Sequence, residues 1–311
     1  MRVGAVSRWW LLLAVPTALL GVGIAWVLAD SVGPALVRVL TLSLGSVVLG
    51  LGVLSWMSRD DRRPVMSAAT LWRGAAGLGG LWALSEAVLF TMTAADVENV
   101  EVSRMSGVQF TEFLTDATPG RVGAAAVVCT VAVTAMSAYG FRYGRDLPVV
   151  PLIALSAVAL VLRPVTGHMS QQVLGSALDA AHALAAATWM GVLAAMALVL
   201  NSRGAWATWL PRYSALAWRC VWVLSITGVI DTAVKLGSVV AFYETGYGRI
   251  VLAKTLALAT LLGLGWWWRR TWVKDAAAHR VSADASLTRA VIEVVAMGVP
   301  FGLAAALATT A

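Results

Sequence analysis

Apolar residues dominate this chain in long runs, and short segments rich in arginine or acidic residues separate those runs. A helix that crosses the hydrocarbon core of a bilayer needs about 20 predominantly apolar residues. Read in order, the runs predict nine membrane-spanning helices. Their approximate bounds are 9–29, 34–57, 67–93, 121–141, 148–165, 174–200, 214–236, 248–268 and 289–309. The pattern therefore predicts an all-α fold, a polytopic bundle of about nine transmembrane helices.

Positive charge is unevenly distributed among the connecting segments. Arginine is concentrated at 58–63, 141–146, 201–212 and 269–289, whereas the long segment 95–120 is acidic. Cytoplasmic loops of membrane proteins carry an excess of Lys and Arg. We therefore expect a cytoplasmic N-terminus and a C-terminus outside, with 95–120 as an external loop.

Tryptophan is concentrated at the same predicted inner boundary, where an interfacial aromatic belt would lie. The residues are Trp9, Trp10, Trp56, Trp206, Trp209, Trp266, Trp267, Trp268 and Trp272. For the external segment 95–120, two interpretations remain open. Val108, Phe110 and Phe113 among acidic residues fit a short helix on the outer membrane surface, and they also fit an ordered loop that caps the bundle.

Composition supports a membrane protein and excludes other classes. The chain is 59% hydrophobic and 13% charged, whereas soluble domains carry about 25% charged residues. The net charge of +7 follows from the basic loops, so it does not indicate nucleic-acid binding. Cys129 and Cys220 both fall within predicted spans, which argues against disulfides and against a zinc cluster. We expect a multi-pass membrane protein that contacts lipid.

Ionisable residues within the spans carry the candidate chemistry, because such residues are costly in lipid and often functional. The predicted topology places most of them in the outer half of the membrane and one, Glu293, toward the inner side. The outer set comprises Glu86, Asp179, His182, Asp231, Arg249 and Lys254. Structural roles remain open for several: Asp231 and Lys254 would neutralise one another as a pair, and Glu293 would serve as an interhelical hydrogen-bonding group. Glu86 has no partner that the sequence identifies.

Two histidines fall at nearly the same predicted level on the outer side. His168 lies in a short loop and is followed by Met169, and Asp179 precedes His182 by three residues on one helix face. Imidazole suits copper in both oxidation states, and thioether sulfur favours the cuprous form. We therefore treat these four residues as candidate copper ligands. The same helix face continues through Trp189, a candidate path residue, to Met196, for which packing is the favoured role.

The same helices resemble the bacterial copper resistance protein D family. The sequence "SALDAAHALAAATWMGVLAAMALV" (176–199) resembles the family's signature helix, and "TGHMS" (166–170) resembles its histidine-bearing loop. "RYSALAWRCVWVLSITGV" (212–229) and "GYGRIVLAKTLALATLLGLG" (246–265) resemble the following helices. "LTRAVIEVVAMGVPFGLAAAL" (287–307) resembles the closing helix with its internal glutamate. The resemblance covers roughly residues 160–310.

The resemblance implies a copper-handling protein of the bacterial inner membrane, with two parts. Residues 1–150 would hold transmembrane helices 1–4, and 151–311 would form the family's transmembrane domain with helices 5–9. The positions it highlights are His168, Asp179, His182, Trp189, Gly191, Tyr247, Gly248, Arg249, Lys254 and Glu293. The sequence contains no fused copper-binding domain, so we expect a separate periplasmic copper-binding partner, and a link to cytochrome oxidase assembly is suggested.

We therefore expect a non-enzymatic protein that takes copper, Cu(I) or Cu(II), at its outer face and moves or delivers it across the membrane. The sequence lacks an ATP-binding loop, so any transport would be passive, gradient-coupled or fed by a chaperone. Two alternatives stay open: a haem- or quinone-binding redox protein, and a non-transporting assembly factor for a respiratory copper oxidase. Two well-placed histidines are too few for a pair of stacked haems, which needs four axial ligands.

Overall fold

The computed structural model of the protein describes residues 8–29, 34–62, 64–144, 147–165, 175–236 and 240–307. Every regular element within these ranges is helical, including 3-10 turns at Arg8–Leu13 and Val102–Arg104. The α-helices are α1 Ala14–Ala29, α2 Ala35–Met57, α3 Ala68–Val97, α4 Gly107–Asp116, α5 Thr118–Tyr143, α6 Val150–Val165, α7 Gly175–Val199, α8 Arg203–Leu236, α9 Ala241–Glu244, α10 Gly246–Arg270, α11 Trp272–Ala277 and α12 Ala283–Leu307. The predicted all-α bundle is confirmed.

Eight helical segments of the described chain are long and apolar enough to cross a membrane. The fifth predicted span, 148–165, corresponds to α6, which has 16 residues. At a rise of about 1.5 Å per residue, it is about 24 Å long, shorter than the roughly 30 Å hydrocarbon core. The number of spans and the orientation of the termini therefore stay predictions, while multi-pass insertion is supported along the whole described chain.

The helices form two compact units. One unit is Pro34–Thr188, and the other combines Met1–Gly33 with Trp189–Ala311. We call them the middle unit and the terminal unit. This division follows packing, whereas the division at 150/151 follows sequence resemblance and stays a prediction.

In the terminal unit, the first and last membrane helices pack closely. The side chain of Thr17 on α1 donates a hydrogen bond to the carbonyl of Val295 on α12, at 2.7 Å. Gly298 and Gly302 form a small-xxx-small pair on α12 and face the α1 backbone. A Cβ atom at Gly302 would lie 2.9 Å from the backbone nitrogen of Val22, so only glycine allows this approach. Small residues commonly permit such contact between membrane helices.

In the middle unit, the segment predicted as an external loop forms an ordered cap. Ser106 and Gln109 make a reciprocal capping box at the start of α4, which satisfies backbone donors at the helix N-terminus. Phe113 is buried, and its ring centroid lies 5.5 Å from that of Phe90 on α3. The short helix predicted from the apolar residues is present, and Phe113 packs into the unit while Val108 is exposed.

The tryptophans differ from the predicted belt. Trp9, Trp10, Trp56, Trp266 and Trp267 are exposed, whereas Trp206, Trp209, Trp268 and Trp272 are buried. In the terminal unit, the ring of Trp272 lies 6.0 Å from that of Trp206 and 5.6 Å from that of Trp268, and its indole nitrogen donates to the Ser286 hydroxyl at 3.2 Å. Trp206 lies near the start of α8, Trp268 near the end of α10 and Trp272 at the start of α11. Together these rings form an aromatic core.

Candidate functional site

Glu86, whose role the sequence left open, has a partner in the middle unit. Arg163, near the end of α6, donates from Nε and Nη2 to Oε1 of Glu86 at 2.8 and 2.6 Å. The Glu86 side chain is 6% exposed and the Arg163 side chain 19% exposed. Charge-assisted hydrogen bonds of this kind are strong, so the pair joins α3 to α6.

A second arginine stands beside this pair. Arg38, in the first turns of α2, lies within electrostatic range of Arg163, Glu86 and Asp96. Its Nε atom is buried and has no hydrogen-bond partner among the described residues. Gly123 on α5 leaves room for the Phe90 ring, because a Cβ atom at that position would lie 2.9 Å from Cε2 of Phe90, whereas Nη2 of Arg163 would be at an ordinary contact distance of 3.6 Å. The charges of α2, α3 and α6 thus converge at the end of the unit that is predicted to face outward.

The predicted histidine and aspartate lie on α7 as expected. Asp179 and His182 are three residues apart on one helix, and both are half-buried. The other two candidate ligands, His168 and Met169, lie outside the described residues. Farther along α7, in the terminal unit, Trp189 and Met196 are buried, which fits the packing role favoured for Met196.

The described part of the chain contains no group of three or more His, Cys, Asp or Glu side chains that would hold a metal ion. Cys129 and Cys220 are both free thiols, as the sequence predicts. With His168 and Met169 outside the described ranges, the four-residue ligand set stays a prediction. Asp179 and His182 are the half of that set that the structure describes.

A buried polar cluster in the terminal unit joins three helices. The hydroxyl of Tyr213 on α8 lies 3.5 Å from the Trp189 carbonyl of α7 and 3.5 Å from Oε1 of Glu293 on α12. Tyr213, Trp189 and Glu293 are 4%, 7% and 8% exposed. The indole nitrogen of Trp189 is buried without a hydrogen-bond partner among the described residues. Cys220, on the same helix as Tyr213, lies within electrostatic range of that hydroxyl.

The second group of charges in the terminal unit lies where α8 ends and α10 begins. Asp231 is within electrostatic range of Lys235 and Lys254, and its Oδ1 is buried without a hydrogen-bond partner among the described residues. Its neutralisation by pairing with Lys254 therefore stays a prediction. The Lys235 ammonium lies 4.7 Å from the centre of the Tyr247 ring, a cation–π distance. Arg249, also a predicted site residue, is exposed. Among these residues one carboxylate stands with three cations, so the group carries a net positive charge.

The sequence indicates the two buried glutamates as candidate site residues, but the residues around them were not singled out. Arg38 and Arg163 were not singled out because each lies near the end of an apolar run, where arginine is common. Tyr213 was present in the quoted "RYSALA" motif but had no assigned role. The available signal for Arg163 was its position inside an apolar helix, where an unpaired cation would be costly.

Comparison with known proteins identifies a family for the last third of the chain. Residues 207–307 match the family model of copper resistance protein D. This region contains α10, α12 and all of α8 after its first turn, and with them Tyr213, Asp231, Lys254 and Glu293. Asp179 and His182 lie before it.

A curated relative gives a second similarity. The chain is 28% identical over 116 residues to the copper transport protein CutJ of Bacillus subtilis (strain 168). The match covers 34% of this chain and 21% of the relative, so the chain spans about a fifth of that protein's length. No solved structure matches the chain significantly. Over residues 207–307 this multi-pass membrane protein is thus similar to the copper resistance protein D family, and the similarity to the Bacillus subtilis protein agrees with that likeness.

Proposed function

We propose that this protein takes copper ions at its outer face and transports or delivers them across the bacterial inner membrane, without enzymatic activity. The match of residues 207–307 to the copper resistance protein D family carries the proposal. The similar Bacillus subtilis protein is named for copper transport, which favours transport over the other copper-related roles.

The half-buried pair on α7 supports capture of the ion. Asp179 and His182 share a helix face, so the carboxylate and the imidazole reach the same space. His168 and Met169 would complete the set with a second imidazole and a thioether, ligands that suit copper. Asp179 would orient His182 and increase its basicity, as carboxylates behind metal-binding histidines commonly do.

Charge balance inside the protein supports movement of a cation. An ion that enters a membrane protein needs compensating negative charge. Glu86 is already paired with Arg163, and Asp231 lies close to two lysines. Glu293 is buried and hydrogen-bonds Tyr213, so it remains to receive a cation. A separate extracytoplasmic copper-binding protein would supply the ion, and lipid surrounds the helices.

Purified full-length protein tests this function directly. We expect stoichiometric bound copper, no Soret band in the absorption spectrum, and uptake of cuprous ions into proteoliposomes under reducing conditions. His182→Ala should lose most of the uptake. The matched control is His279→Asn, because His279 is exposed at a positive φ of 54°, which asparagine tolerates. A strong Soret band would instead indicate a haem protein, and absence of both copper and haem would indicate an assembly factor or scaffold.

A further inference from the structure

Glu293 lies in an unusual electrostatic environment. The residue is 8% exposed on α12, and its hydrogen-bonding partner is the hydroxyl of Tyr213. Within the described ranges, no lysine, arginine or histidine forms an ion pair with it. The carboxyl group is thus buried with a neutral donor in place of a cation.

Several cations on the elements that pack against α12 have other partners. Tyr213 and Cys220 on α8 are neutral groups. Arg8, ahead of α1, donates to the Leu200 carbonyl, and Lys254 on α10 lies near Asp231. The guanidinium groups of Arg212, Arg269 and Arg270 lie over the rings of Trp209, Trp218 and Trp266. Arg289, one turn earlier on α12, makes no hydrogen bond or ion pair with Glu293 in the described chain, and its Nη1 is buried without a hydrogen-bond partner there.

The two glutamates that are buried in the described part of the chain therefore differ in how their negative charge is compensated. Glu86 accepts two hydrogen bonds from Arg163, so its negative charge is compensated. A buried carboxylate without such a cation is costly, and a proton is the simplest way to neutralise it. A carboxyl group that is protonated in the absence of a cation and ionised beside one can exchange a proton for that cation.

We propose that Glu293 is a proton-exchange site on the ion pathway. It holds a proton in the ion-free protein and releases that proton when a cuprous ion enters. This inference rests on the proposed copper transport. In the exchange, the O–H bond of the carboxylic acid breaks and the proton leaves to water. The ion takes over the positive charge, and no electron is transferred.

Tyr213 acts as a positioning residue for this exchange. Its hydroxyl is equally distant, 3.5 Å, from the Trp189 carbonyl and from Oε1 of Glu293. The single O–H proton donates to one acceptor at a time. It alternates between the two acceptors while Glu293 is neutral, and it bonds the carboxylate after the proton leaves. The shift stabilises the charged form, because hydrogen bonds to ionised acceptors are stronger than neutral ones.

Infrared difference spectroscopy of the full-length protein in lipid tests the proposal. A protonated carboxyl has a C=O stretching band that a carboxylate lacks. We expect Glu293→Gln to lose one such band at neutral pH, and Tyr213→Phe to keep the band at a shifted frequency. Glu112→Gln is the control, because Glu112 is exposed on α4. Loss of no band in Glu293→Gln, or an unshifted band in Tyr213→Phe, would overturn the assignment.

Addition of cuprous ions under anaerobic conditions tests the exchange itself. The band should decrease in the wild-type protein as copper binds, and one proton should appear in solution for each band lost. A band that persists in copper-loaded protein would contradict exchange at Glu293. If the protein binds no copper while the Glu293 band is present, the copper function fails and the protonated glutamate stands. If Glu293→Gln does not fold, Tyr213→Phe and Glu293→Asp decide through the frequency shift.

Discussion

Arg163 and Glu86 lie 77 residues apart in the sequence, yet both Nε and Nη2 of the arginine donate to the same carboxylate oxygen. The pair connects α3 with α6 in the middle unit, in a place where neither side chain has much access to solvent. If one partner is removed, the other remains there as a buried, uncompensated charge, and this strongly destabilises the folded protein.

Removal of one partner should therefore destabilise the protein more than removal of both. We expect Glu86→Ala to cost about 3–5 kcal/mol of unfolding free energy, and the double change of Glu86 and Arg163 to methionine to recover most of it. Thermal unfolding in one detergent measures both. Glu101→Ala is the control, because its pair with Arg104 is exposed, and it should change little. Equal losses in single and double variants would contradict this account.

The close approach of α1 and α12 predicts opposite effects of the same substitution at two glycines. Gly302→Ala places a Cβ atom against the Val22 backbone and should lower stability by about 1–3 kcal/mol through overpacking. At Gly263 on α10, a Cβ atom meets nothing within 4 Å. Gly263→Ala should be neutral or stabilising by up to about 1 kcal/mol. Melting temperatures of the two variants decide, and a similar shift in both would argue against the tight helix contact.

The buried aromatic core predicts that tryptophans of similar sequence context contribute differently to the free energy of unfolding. Trp272 is 1% exposed and hydrogen-bonds Ser286, whereas Trp267 is 59% exposed. We expect Trp272→Ala to cost about 3–5 kcal/mol, while Trp267→Ala changes stability little. Chemical denaturation of the purified variants gives the comparison. A large loss in Trp267→Ala alone would favour the interfacial belt over the aromatic core.

The sequence predicted the helices well because hydropathy is a local property of the chain. Each predicted span has a helix within a few residues of it, except that α12 begins at Ala283 rather than near 289 and α8 begins at Arg203 rather than near 214. The reason is tertiary: Trp206, Trp209 and Leu210 lie in the core, so packing extends the helix beyond the apolar run. A one-dimensional pattern does not distinguish a tryptophan that faces lipid from one that faces another helix.

The sequence predicted the ionisable residues of the candidate site but not the residues that they contact. Glu86 and Glu293 were recognised because ionisable groups stand out in apolar runs. Arg163 and Tyr213 were missed as their partners, because those contacts depend on which helices pack together. The copper ligand set stays a prediction. Asp179 and His182 lie on α7 as predicted, while His168 and Met169 lie outside the described residues.

The orientation predicted from arginine distribution is tested by cysteine labelling. Val108 on α4 and Ala277 at the end of α11 are exposed and cap no helix, so cysteine is tolerated at either position. In a background without Cys129 and Cys220, an impermeant maleimide should label position 108 in intact cells and position 277 only after the cells are opened. Labelling of position 277 from outside would reverse the topology.

The final prediction concerns Asp179, which shares a face of α7 with His182. A carboxylate in this position accepts a hydrogen bond from the ring nitrogen that does not bind the ion, and it thereby fixes the imidazole tautomer. Asp179→Asn keeps the shape and an acceptor oxygen but removes the charge. We expect it to lower copper affinity by roughly 10–100-fold while the protein still inserts and folds. Competition with a cuprous chelator measures the affinity, and Asp116→Asn, at the exposed end of α4, is the control. Folded Asp179→Asn protein with wild-type affinity would show that the carboxylate serves the helix bundle rather than the metal, and His182 would then need another group to orient it.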